Sequence, residues 1–244
     1  MRYLSLASVV GGFLLWELAG RFLVGQSLFL AVPSQIVEAA VKLWAAGVLQ
    51  RHIIVSFSEF IIGYVIAIAI GLPIGLLLAV SPRFRAILSP WVDGLYATPV
   101  IAIAPLVILW FGIGIWSKVF VVVSVVIFPV IINTEAGIRS TPHNYVEAIR
   151  CFGASRVQVF LKVMIPSALP FIFAGMRLGI GRGLIGVVVG ELFGSRAGLG
   201  RLIAESAETF NMPNLFVGVL LLAAAGILLT SAFHALERRI VHWT

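Results

Sequence analysis

The segment Glu147–Pro170, EAIRCFGASRVQVFLKVMIPSALP, carries Glu147, Arg150, Arg156 and Lys162 inside a chain that is otherwise apolar enough to dissolve in lipid. Of the 244 residues, 61% are hydrophobic and 11% charged, whereas a soluble domain has about 45–50% apolar and about 25% charged residues. With a mean hydropathy of +1.11, this is the composition of an integral membrane protein. The net charge of +7 is scattered singly at the ends of apolar runs, which marks membrane-flanking loops rather than a nucleic-acid surface. Cys151, the single cysteine, excludes an internal disulfide or a cysteine-based metal cluster and reads as a small packing residue. Glu17 and Arg21 interrupt the first apolar run, and no small-residue cleavage site follows, so a retained first span is expected rather than a signal peptide.

A membrane-crossing helix needs roughly 20 mostly apolar residues. Segments 4–24, 53–80, 88–111, 115–136, 166–193 and 213–236 meet that length. The fourth is the clearest, with Lys118 as the only charge in WSKVFVVVSVVIFPVII. The third contains Pro90, Pro99 and Pro105, which predicts a bent or broken helix buried against other protein. Between the first two spans, Ile36, Val37, Ala40, Val41 and Trp44 recur at helical spacing and predict a surface helix over 33–50. With a cytoplasmic N-terminus, the inner loops and tails hold Arg2, Arg83, Arg85, Arg139, Arg150, Arg156, Lys162, Arg238 and Arg239. The outer side holds the smaller set Lys42, Arg51, Lys118, Arg196 and Arg201. The positive-inside bias therefore favours both termini in the cytoplasm.

That orientation places the charged segment in the cytoplasm. Thr141-Pro142 reads as a helix start, with a capping hydroxyl and a proline at the first helical position. Tyr145, Ala148, Ile149 and Phe152 then form one apolar stripe until Gly153 ends the helix in a left-handed conformation. Ser155 and Gln158 fit a capping box for a second helix, whose stripe is Val157, Phe160, Leu161 and Met164, before Pro166 turns the chain into the fifth span. Helices this short need a surface to lie on. The surface is either the protein's own helix ends or the lipid interface, or else a groove on a cytoplasmic partner.

The spacing resembles the EAA loop of ABC importer permeases: Glu-Ala-Ala, three residues, Gly, nine residues, then Ile-x-Leu-Pro. Here Glu147-Ala148-Ile149 is followed by three residues, Gly153, nine residues and Val163-Met164-Ile165-Pro166. Ile149, Val163 and Ile165 are apolar replacements. The similarity extends to NTEAGIRS (Asn133–Ser140), GASR (Gly153–Arg156) and AGMRLGIGRGLIGVVVGELFG (Ala174–Gly194). It is strongest to the subfamily that imports nitrate, taurine, alkanesulfonates, bicarbonate or small heterocycles.

The resemblance implies an all-α membrane protein of about six transmembrane helices, a type I ABC importer permease of the MetI-like kind. Residues 1–52 would supply the first transmembrane helix and an external amphipathic segment, and 53–244 the permease core with its coupling loop at 139–166. It further implies a bacterial inner-membrane location, a second permease copy as a homodimer, two copies of a cytoplasmic ATPase and an extracytoplasmic substrate-binding protein. ATP and Mg would be used by the ATPase, with no cofactor, metal or catalytic residue in this chain. The coupling residues would be Glu147, Ala148, Arg150, Gly153, Ser155 and Pro166. Glu147 would anchor to a basic group on the ATPase, and Gly153 would permit the turn and close approach.

Charged residues inside the spans are the remaining candidates. Arg177, Arg182 and Glu191 lie in the fifth span, where a charge costs about 2.5–3.5 kcal/mol or more unless paired or hydrated. Structural pairing or gating is the favoured reading of the arginines, and contact with an anionic substrate the other. Glu17 and Arg21, four apart, are expected to neutralise each other, and Glu59 and Glu135 to enter scaffold pairs. Gly175, Gly179, Gly183 and Gly186 recur at close-packing intervals, which suits a dimer or pathway element, or plain tight packing. Ala197–Asn211 reads as an external helix with Leu199, Leu202, Ile203 and Phe210 on its apolar face.

Two other classes fit less well. A secondary transporter or channel is disfavoured because no inverted repeat or tract of ion-binding residues is visible. A membrane enzyme is disfavoured because HExxH and GxSxG are absent and His52, His143, His234 and His242 all lie near span ends. The chain also lacks GxxxxGK[ST], so any ATPase is another polypeptide.

Overall fold

The fold comes from a computed structural model that describes residues 2–22 and 30–241, with positions 2, 3, 5, 6 and 101 described for the backbone alone. Residues 23–24 of the expected first span, and His242, lie outside the described residues. The described chain is helical throughout: α1 (Arg2–Phe22), α2 (Pro33–Ala45), α3 (Val48–Val80), α4 (Pro82–Ala97), α5 (Val100–Phe111), α6 (Ile115–Arg139), α7 (His143–Cys151), α8 (Arg156–Val159), one π turn (Phe160–Met164), α9 (Ile165–Leu192), α10 (Leu199–Glu208) and α11 (Met212–Ile240).

Four helical bodies are long and apolar enough to cross a membrane: α3, α6, the run Arg156–Leu192 and α11. The α4–α5 pair is a fifth if counted as one broken span. The expected first span corresponds to α1, whose 21 residues rise about 32 Å at 1.5 Å each.

The core is a tight layer of α3, α6 and α9. Phe60, Tyr64 and Ala67 meet Val122, Val126 and Val130, with Ile180 and Val187 closing the cluster. Lipid tails are as apolar as these side chains, so close packing rather than escape from water selects the arrangement. A Cβ at Gly63 would lie 2.7 Å from Val122, and one at Gly183 would lie 2.8 Å from Phe60. The glycine series of α9 therefore packs within the chain and does not mark a dimer face. Tyr64 reinforces the layer by donating to the Met176 carbonyl at 2.8 Å.

A second cluster joins α2, the start of α3, α10 and the start of α11 through Ile36, Ala39, Leu49, Leu199, Leu202 and Val217. Two expectations change here. The helix expected over 33–50 ends at Ala45, and Gly47 at φ 74 restarts the chain as α3. Of its expected stripe only Ile36 is buried, while Val37, Val41 and Trp44 are exposed. Periodicity identifies an apolar face without saying whether protein or lipid covers it. Similarly, α10 ends at Glu208 and leaves Phe210 exposed, with φ 55.

The third expected span is bent, by 105° between α4 and α5. Thr98, held extended at ψ 127 by the proline that follows, forms the break. The two halves of the span differ in burial: α5 packs Ala104 and Val107 against Val121 and Val189, whereas α4 has no buried residue. The Arg85–Glu135 ion pair at 2.7 Å fastens its start to α6.

Candidate functional site

Where α6 ends, the Ser140 N–H donates to the Ala136 carbonyl and the chain turns into α7. The expected Thr141 cap does not form, because Pro142 is extended at ψ 131 and is itself the cap position. The helix starts at His143, one residue later than expected. Thr141 Oγ1 is buried without a partner among the described residues, and the Pro142 carbonyl accepts from Tyr145 N at 3.2 Å.

The elbow forms as its residues dictate. Gly153 adopts φ 78; its N–H donates to the Arg150 carbonyl at 2.9 Å, and Ala154 N–H to the Ile149 carbonyl at 3.3 Å. Together these are the paired bonds of a Schellman motif. Ser155 Oγ accepts from Gln158 N at 3.3 Å, and Gln158 Oε1 accepts from Ser155 N at 2.8 Å, closing the capping box. Beyond it, Pro166 does not turn the chain. Pro166 cannot donate to Lys162, and a π turn absorbs the mismatch: Ile165 N–H reaches back to the Phe160 carbonyl. The helix then continues into α9.

The apolar faces of this elbow are covered only in part: Phe160 and Met164 pack against Ile138, Ala168 and Ile172, while the apolar side chains nearest Gly153 lie open. Phe152 is 91% exposed and Val157 65%, with Tyr145 and Leu161 also exposed. Ala148 and Arg150 are exposed as well, and among the described residues Glu147 pairs with His143 at 3.1 Å, one turn back on the surface. A cavity of about 350 Å³ lies behind α7, lined by Tyr145, Lys162, Val163, Pro166 and Ser167.

The structure separates the intramembrane charges. Arg177 pairs with Glu237 of α11, and His234 accepts from the same guanidinium at 3.4 Å. Arg182 is exposed, its Nη2 donates to Tyr96 Oη at 2.7 Å, and its guanidinium carbon lies 4.8 Å over the Tyr96 ring. Glu191 is completely buried and accepts from Ser56 Oγ at 2.5 Å and from Gly200 N at 2.6 Å. Glu17 and Arg21 pair at 2.6 Å as expected, and Ser34 of α2 adds two donors to the same carboxylate.

Sequence reasoning missed the grouping of Glu59, Lys118 and Glu191, buried within electrostatic reach of one another. Lys118 Nζ donates to the Gly194 and Gly114 carbonyls at 2.6 and 3.1 Å. The available signal was depth: each charge lies a few residues inside the same end of its span. Among the described residues, no group of His, Cys, Asp and Glu could hold a metal ion.

The family model described as "Binding-protein-dependent transport system inner membrane component" matches residues 71–242. The chain belongs to that family. It is 33% identical to the formylaminopyrimidine transport permease protein ThiX of Halalkalibacterium halodurans, over 94% of this chain and 91% of that one. It is 31% identical to the taurine transport system permease protein TauC of Escherichia coli (93% and 84%) and 37% identical to the riboflavin transport system permease protein RibX of Chloroflexus aurantiacus (93% and 85%). The fold is similar to a chain of the inward-facing MetNI methionine ABC transporter, with a TM-score of 0.69 at 20% identity, covering 80% of this chain and 97% of that one. This permease is thus a multi-pass inner-membrane component of an ABC importer, and it is a non-catalytic one.

Proposed function

We propose that two copies of this permease form the translocation pathway of an ATP-driven importer, with both termini cytoplasmic. Two ATPase subunits dock on residues 139–166, and a soluble binding protein delivers substrate from outside. The ATP and Mg belong to the ATPase. Glu147 and Arg150 supply charged contacts at the docking surface, Ala148 leaves room for close approach, and Gly153 with Ser155 sets the elbow. Pro166 lies at the base, where the π turn links the elbow to α9. ATP-driven closure of the ATPase pair then moves α9, because the elbow runs into that helix without a flexible joint. The substrate is a small anion, such as a sulfonate or nitrate, or a small heterocycle.

The observation that carries this reading is the pair of exposed apolar side chains on either side of a structured elbow: Phe152 and Val157 flank Gly153 and are 91% and 65% exposed. The test is to solubilise the tagged protein from its native membrane in mild detergent and identify what co-purifies. A soluble ATPase is expected with wild type and lost with Gly153→Asp, while the elution profile of the permease itself is unchanged. Association of the ATPase with both proteins equally would overturn the docking assignment. Absence of ATPase from both, with uptake following an ion gradient, would make the chain a secondary transporter.

A further inference from the structure

The two arginines of α9 are five residues apart and meet opposite environments. Arg177 is spent on Glu237. Arg182 faces no carboxylate among the described residues, and its hydrogen-bond partner there is Tyr96. It shares an exposed face of α9 with Leu178, Gly181 and Ile185, while Gly179, Gly183 and Gly186 pack on the other side. A cation in that position, inside a membrane span, needs a counter-charge or water.

Beside it is a cavity of about 290 Å³, lined among others by Tyr96, Thr98, Ser124, Val125, Phe128 and Arg182. Among the described residues, no acidic side chain lines it. The hydroxyls of Thr98 and Ser124 already donate, to the Gly94 and Phe120 carbonyls at 2.9 and 2.8 Å. Tyr96 Oη accepts from Arg182 and so keeps its own proton available. The donors left free in the cavity are guanidinium N–H groups and one phenol O–H, around a full positive charge, while the Thr98 and Ser124 oxygens keep only acceptor capacity. The cation–π contact with the Tyr96 ring and the bond to its Oη hold the guanidinium beside the cavity, and a guanidinium fork suits planar or tetrahedral oxyanions.

We propose that Arg182 and Tyr96 form an anion-binding station in the translocation pathway, taking a small singly charged oxyanion with, at most, a short apolar tail against Val125 and Phe128. This rests on the pathway reading above and narrows it: the permease itself, and not the binding protein alone, selects for negative charge.

The test uses the full chain with its co-purifying ATPase in lipid nanodiscs. Arginines are modified with phenylglyoxal, with methanesulfonate as the protecting probe and neutral cytosine as control, and modification is read at each residue by peptide mass spectrometry. Arg182 is expected to react and to be protected by methanesulfonate but not by cytosine. Tyr96→Phe, which keeps the ring and removes the O–H, should raise the half-protecting concentration about tenfold. An unreactive Arg182, a reactive one that methanesulfonate leaves unprotected, or equal protection by cytosine would each overturn the proposal. The readout does not require ATPase in the sample, so loss of the importer reading and loss of the anion station are separate results.

Discussion

Glu191, near the end of α9, accepts the backbone N–H of Gly200 at 2.6 Å, and this bond folds the start of α10 back onto the core. The junction is shared. Ser56 Oγ donates to the same carboxyl and accepts from Leu199 N at 2.7 Å, and Gly198 N donates to His52 Nδ1 at 2.9 Å. Gly198 has φ 133, and a Cβ there would overlap the Glu191 carboxyl.

Replacing Glu191 with alanine strands the Gly200 N–H and the Ser56 hydroxyl in a buried site, at about 1–3 kcal/mol for each group left unpaired. Glu191→Ala should therefore lower the detergent unfolding temperature clearly and raise hydrogen exchange at residues 199–200. Glu191→Gln retains one carbonyl acceptor and should fall between alanine and wild type. Unchanged exchange in the alanine variant would show that the α9–α10 junction is held by packing alone.

The contrast between Arg177 and Arg182 can be measured as stability. Arg177 bridges α9 to Glu237 on α11, with 35% and 16% side-chain exposure, so the pair is partly shielded and its coupling should exceed that of a surface pair. A double-mutant cycle of Arg177→Gln and Glu237→Gln should give a coupling energy of about 0.5–3 kcal/mol. Arg182→Gln, which breaks no ion pair among the described residues, should leave the unfolding temperature near wild type. A vanishing coupling energy would assign Arg177 to something other than holding α11.

Local geometry was legible in the sequence, and long-range geometry largely was not. The Gly153 elbow, the Ser155–Gln158 box and the Glu17–Arg21 pair each close within a few residues, so residue type and spacing suffice. Thr141 failed as a cap although it is equally local, because Pro142 took the extended rather than the helical conformation. Pro166 was read as a turn because a proline breaks an ordinary helix, but a π turn accommodates it. Glu191 was visible as a charge in an apolar run, yet its donors Ser56 and Gly200 come from α3 and α10, and nothing local points to them. The bend of the third span was legible from Pro99. That the surface of its α4 half would be left open was not, because hydropathy does not distinguish a face turned to lipid, to water or to a second copy.

Two neighbouring glycines of α9 separate packing within the chain from the open face. A Cβ at Gly183 would lie 2.8 Å from Phe60 and 3.0 Å from Val126, whereas nothing lies within 4 Å of one at Gly181. Gly183→Leu must push α9 away from α3 and α6, at about 1–3 kcal/mol for overpacking a filled core. The same substitution at Gly181 meets open space and replaces a poor helix former by a good one, worth up to about 1 kcal/mol. Unfolding temperatures in detergent should therefore fall for Gly183→Leu and hold or rise for Gly181→Leu. In the reconstituted importer the order of harm should differ: if α9 lines the pathway on its open face, Gly181→Leu should impair uptake with no loss of stability. Full uptake by Gly181→Leu would place that face against lipid.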